Sequence, residues 1–101
     1  MGFFEWLLQA AVQTAITVAA VWLIKETLNC VITKRNFYRY LMQLRQREEF
    51  QNLGSAMIKN KTGHEVEFSM FDTQGTDMGD GKVSSDYGVS DDMRIGEVIV
   101  I

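Results

Sequence analysis

The sequence predicts an α+β protein: one N-terminal transmembrane helix, extended by a basic juxtamembrane helix, followed by a small C-terminal β-rich domain of a hairpin and a terminal strand. Three observations predict it. Residues 6–24, WLLQAAVQTAITVAAVWLI, form a run of nineteen residues without charge, Gly or Pro. The next stretch, to Leu53, still has no Gly or Pro and carries most of the basic side chains. Beyond Gly54 the apolar positions alternate instead of recurring every three or four residues, which is the period of a strand and not of a helix.

The apolar run, as a helix, is roughly 28 Å long and matches the ~30 Å hydrocarbon layer of a bilayer. Trp6 and Trp22 stand near its two ends and Lys25 follows at once, an order that suits indoles at headgroup level and an ammonium beside phosphates. A secretory signal fits poorly, because the entry holds Glu5 and no Lys or Arg. Within the run Ala11, Ala15 and Ala19 recur every fourth residue, a small-residue row that lets helices approach closely. Gln9, Gln13 and Thr17 make a polar row at the same spacing. Amides in hydrocarbon call for partners on other helices, so Gln9, Ala11, Gln13, Ala15, Thr17 and Ala19 are the expected helix-packing residues.

From Lys25 to Leu53 the expectation is an amphipathic juxtamembrane helix, bent if anywhere at Asn29–Thr33 and ended by Gly54. Its segment TKRNFYRYLMQLRQR interleaves basic and aromatic residues. Such a segment suits anionic headgroups, which makes Trp6, Trp22, Lys25, Lys34, Arg35, Phe37, Tyr38 and Arg39 the expected membrane-interface set. The same composition suits nucleic acid less well, through Arg35, Arg39, Arg45 and Arg47. Residues 1–53 hold six Lys and Arg against four acids, and residues 54–101 hold four against nine. Three zones follow: a membrane segment over 1–24, a basic helix over 25–53 and a small acidic domain over 54–101. All six basic residues of the first half lie after the apolar run, so the positive-inside tendency puts the N-terminus outside and the C-terminal domain in the cytoplasm, or facing the protein shell in a virion.

In the acidic domain, Asn60–Gly63 reads as a turn. His64–Phe71 reads as a strand with Val66, Phe68 and Met70 on one face. Asp72–Gly88, with four glycines among acids and serines, reads as a long loop. Met93–Ile101 reads as a terminal strand. Its end, Val98, Ile99, Val100 and Ile101, is an aggregation hazard if left bare, so these four are the expected partner-docking residues.

The candidate chemistry is thin. One cysteine and one histidine exclude an internal disulfide and multi-cysteine zinc sites. Cys30 reads as an inert buried thiol and His64 as a turn residue. Asp77 and Asp80 are weak calcium candidates whose spacing matches no EF-hand, and the glycines lack the order of a phosphate-binding loop. No cofactor and no catalysis are expected. The function expected is that of a single-pass membrane structural protein, associating with other transmembrane helices and docking its small domain on a larger protein assembly. A minor membrane protein of a lipid-containing virus or phage, or an accessory subunit of a membrane complex, would answer to this. The alternative is an oligomeric channel lined by Gln9, Gln13 and Thr17.

Overall fold

In the computed structural model, residues 22–101 are described. They form a five-stranded mixed sheet covered on one face by a single α-helix. The order along the chain is β1 (Ile24–Thr27), α1 (Lys34–Leu44), a 3₁₀ turn (Glu48–Phe50), β2 (Leu53–Lys61), β3 (Glu65–Asp72), β4 (Asp77–Ser84) and β5 (Val98–Val100). Across the sheet the order is β1-β4-β3-β2-β5. β2, β3 and β4 make an antiparallel meander, β5 pairs antiparallel with β2, and β1 pairs parallel with β4.

This overturns the predicted fold class. No continuous basic helix runs from residue 25 to 53. Ile24–Thr27 is an edge strand, with Ile24 opposite Gly81 and Thr27 opposite Ser84, and the segments on either side of Gly54 build one domain. Among the described residues no helix is long and apolar enough to cross a membrane. The apolar run up to residue 21 lies outside the described residues.

Local chemistry explains where α1 begins. Ile32 is held in a short parallel bridge to Val89, which keeps the chain extended until Thr33. The Thr33 side chain accepts the Asn36 N–H at 3.0 Å, an N-cap that satisfies one of the helix's orphan donors. The Asp92 carboxylate accepts the Lys34 N–H at 3.2 Å and adds a favourable charge at the positive end of the helix dipole. One face of α1 is apolar. Phe37, Tyr40, Leu41 and Leu44 are buried at the spacing a single stripe requires.

The sheet side of that contact is supplied by period two. Val66, Phe68 and Met70 of β3 are wholly buried, joined by Ala56 and Ile58 of β2 and Val83 of β4. The Phe68 ring meets Phe37 edge-on, with centroids 5.0 Å apart, and Tyr40 at 6.4 Å. On its other side it lies against Gly81, its cross-strand partner. A Cβ built on Gly81 would sit 2.6 Å from the ring, so only glycine fits beneath it. Gly79, at φ +112°, likewise lies against the Leu23 side chain. These two contacts correct the expected loop over Asp72–Gly88: its middle is β4, glycine-rich because larger neighbours occupy the space.

Two further boundaries shift. β2 continues through Lys61, so the turn before β3 is confined to Thr62–His64. The terminal strand shrinks to Val98–Val100, because Gly96 adopts φ +90° and a turn closes between Arg94 and Glu97. Met93 before that turn is buried.

Truncating Phe68→Ala removes the ring on which helix and sheet both rest. The cost expected is about 3–5 kcal/mol, a large fraction of the stability of a domain this small. Thermal unfolding followed by circular dichroism should show the transition moved far down or abolished. Gly81→Ala should also destabilise, since the Phe68 ring has no room to yield.

Candidate interaction surfaces

Among the described residues the helix covers one face of the sheet, and the other is open. On the open face charged side chains pair across the strands. Lys59 reaches Asp80 at 2.8 Å and Lys82 reaches Glu65 at 3.3 Å. The Ser69 hydroxyl donates to the second Asp80 oxygen at 3.0 Å. Lys59 is held above its ordinary range by its bond to Asp80, which outweighs the small opposing effect of burial. Trp22 lays its ring 5.6 Å from the Lys82 ammonium. A partly solvated face of this kind is ordinary for an antiparallel sheet.

On the covered side the Glu26 carboxylate reaches inward. Ile24 and Glu26 share the helix-facing side of β1. The Tyr40 hydroxyl donates to one Glu26 oxygen, and the Arg47 guanidinium donates to the other at 2.7 Å. Burial pushes the Glu26 carboxyl up, but the two bonds and the Arg47 charge outweigh it and leave it below its ordinary 4.5. The Tyr40 hydroxyl moves the other way, well above its ordinary range, through burial and then through the adjacent carboxylate. Near neutral pH the Glu26 carboxylate is therefore ionised, and the Tyr40 hydroxyl keeps the proton it donates. It clamps β1, the middle of α1 and the segment after α1 together. A hollow of about 500 Å³ adjoins it, lined in part by Leu23, Glu26, Arg47, Phe50 and Met78. Both Glu26 oxygens are engaged, and the exposed side chains of Lys25 and Glu49 also line the hollow.

The expected membrane-interface residues separate. Trp6 lies outside the described residues, as do the packing residues Gln9, Ala11, Gln13, Ala15, Thr17 and Ala19. Lys25 is exposed on the open side of β1. Lys34 is paired with Glu97 at 2.5 Å. Phe37 leaves the set: it is fully buried, because its position on α1 belongs to the apolar stripe. Arg35, Tyr38 and Arg39 are exposed together on the outer side of α1.

At the other edge, β5 divides the expected docking residues by side. Glu97 accepts the Ile58 N–H, Ile101 donates to Gly54, and Ile99 stands opposite Ala56. These alternate residues turn their backbone groups toward β2. The intervening Val98 and Val100 therefore turn theirs outward, and β5 has no neighbour on that side among the described residues. Their side chains are 52% and 71% exposed, while Ile99 is buried and Ile101 is partly buried.

The calcium candidates are occupied by the protein's own groups. Asp80 is taken by Lys59 and Ser69, and Asp77 accepts the Gly79 N–H at 2.7 Å. Among the described residues no three His, Cys, Asp or Glu side chains come together as a metal site. His64 lies at the β2–β3 turn with its ring 3.1 Å from the Ser85 carbonyl. Cys30 is exposed rather than buried, because the β1–α1 connection runs over the surface. The Glu26–Tyr40–Arg47 cluster was not legible from the chain, since its members lie 14 and 21 residues apart. No known protein family, characterised protein or solved structure matches the chain.

Replacing Tyr40→Phe deletes one bond to Glu26 and should cost about 1 kcal/mol, the lower part of the range because the carboxylate is partly solvated. The folded Glu26 pKa lies below its unfolded value. Its contribution is therefore complete above the ordinary value of 4.5 and is lost as pH falls through the lower folded value. Urea unfolding across that acid range should show the wild type losing stability more steeply than Glu26→Gln, which has no carboxylate to protonate.

Proposed function

We propose that this chain is a non-enzymatic membrane protein of an assembly: the apolar run before Trp22 attaches it to a bilayer, and the sheet domain docks on a larger protein partner. The observation that carries the docking half is the outer edge of β5. It offers the backbone N–H and C=O of Val98 and Val100 beside two exposed valine side chains. Natural sheets guard such edges with Lys, Pro, bulges or a covering element, and β5 has only its shortness. An extended segment added along this edge would gain backbone hydrogen bonds and bury apolar surface, which is the logic of strand addition. The partner is then a protein with an available extended strand, such as a capsid component or a larger membrane subunit.

The bilayer half is supported by the uncharged run of residues 6–24, of which residues 22–24 belong to the sheet domain and the rest precede it. Since the basic residues of the first half all follow that run, the sheet domain lies on the cytoplasmic side, or inside the shell if the membrane is viral. A non-catalytic role fits the polar side chains, since Glu26, Asp80 and Ser69 are each engaged by structural partners.

Native mass spectrometry of the full-length protein, extracted in mild detergent from its source membrane, tests the reading. A complex with a different, larger protein is expected. Val98→Lys with Val100→Lys should abolish that complex while leaving the circular dichroism spectrum unchanged. A homo-oligomeric ring without a larger partner would replace the reading with a channel lined by Gln9, Gln13 and Thr17.

A further inference from the structure

The outer side of α1 has a charge pattern that the domain itself does not answer. Between Thr33 and Arg47 the sequence holds five Lys and Arg and no acid. Among the described residues, Lys34 pairs with Glu97 and Arg47 with Glu26. Arg35, Arg39 and Arg45 have no ion pair there. These three are not scattered. Arg35, Tyr38, Arg39 and Met42 follow the i, i+3, i+4, i+7 spacing of one helix face, and the Arg45 guanidinium lies 4.0 Å from the Met42 sulfur. Tyr38 is 40% exposed. The face therefore sets three cations around an amphipathic ring and a thioether, opposite the stripe that packs on the sheet.

We propose that this face of α1 rests on the anionic lipid headgroups of the bilayer to which the chain is attached. The inference deepens the function proposed above and rests on its bilayer half. Two features select this occupant. First, the charge is complementary: phosphates and carboxylates of lipid supply the acids that the face lacks, and Tyr38 and Met42 suit the boundary between headgroups and acyl chains. Second, the uncharged run continues through Ile24, so its last three residues already belong to the domain. The Arg47–Glu26 pair ties the C-terminal end of α1 to β1, four residues beyond Trp22. No spacer separates the run from the domain, so β1 and the end of α1 tied to it are kept close to the headgroups. Docked this way, α1 lies along the membrane surface with the β1 edge of the sheet beside it.

Each basic side chain near an anionic surface favours binding about fivefold, so three should favour the docked orientation on the order of a hundredfold. The test uses the full-length chain carrying Cys30→Ser and Tyr38→Cys, with a nitroxide on the new thiol. It is reconstituted in vesicles of phosphatidylcholine alone and in vesicles also containing phosphatidylserine. Collision of the label with a water-soluble nickel chelate should fall severalfold in the anionic vesicles only. Arg35→Gln, Arg39→Gln and Arg45→Gln together should restore the collision rate, with an unchanged circular dichroism spectrum and unchanged flotation with both vesicle types. A label equally accessible in the two lipids overturns the inference while flotation upholds the attachment. Failure to float with either vesicle overturns the attachment and the inference together. Shielding by a single-stranded oligonucleotide but not by anionic vesicles would assign the face to nucleic acid and likewise overturn it.

Discussion

The Phe68 ring is the point at which the two layers of this protein become one. It stands on Gly81 and is gripped from above by Phe37 and Tyr40, so β3, β4 and α1 meet on a single side chain. An aromatic ring over a cross-strand glycine buries surface that the glycine would leave to water and fixes the pairing of the two strands. Strand register then follows without much freedom. A slip of one residue would turn Val66, Phe68 and Met70 to the open face and bring Glu65, Glu67 and Ser69 against the helix. Glu65, paired with Lys82 on the open face, would be driven into the core without its partner. As a surface ion pair it stabilises little, but it makes that wrong register costly.

β1 depends on a different device. It is four residues long and sits at an edge; its bonding partners lie nearly sixty residues further along the chain. Hydrogen bonds to one neighbour hold a strand of that length poorly, and the Glu26 clamp adds what pairing lacks. Tyr40 and Arg47 grip the carboxylate from the helix side, while Thr27 meets Ser84 on the open side. The partial burial of Glu26 would be costly for a bare charge and is tolerated because both oxygens are bonded. One carboxylate thus decides where the N-terminal segment enters the domain.

How far the chain foretold this differs by element, for physical reasons. β3 was legible, since Val66, Phe68 and Met70 alternate with polar residues over a full strand. So was the helical character of Lys34–Leu44, although its limits were not, because the N-cap at Thr33 competes with a long stretch free of Gly and Pro. β1 was hidden by continuity of hydropathy: Trp22, Leu23 and Ile24 look like the end of the apolar run, and nothing near them announces a parallel partner at Gly81. β4 was hidden by its glycines, which ordinarily weaken strands. Gly81 serves the Phe68 ring and Gly79 the Leu23 side chain, and these are tertiary reasons that no local window contains. The apolar stretch Val98–Ile101 that holds β5 was visible in the chain, whereas the Glu26 clamp required the fold.

The placement of the two surfaces has a consequence for how the domain could serve an assembly. The β5 edge lies at the far side of the sheet from β1, with three strands between them. At the usual spacing of about 4.8 Å between strands, the docking edge is roughly 19 Å from the strand at which the chain enters. The intervening sheet is braced by the α1 contacts, and a load on β5 passes through β2 and β3 to Phe68 and then to the helix. The β5 edge is therefore held at a fixed distance from β1, the first strand of the described residues. A strand added at β5 would extend the sheet at the edge opposite β1, which the Glu26 clamp ties to α1 on its helix-facing side.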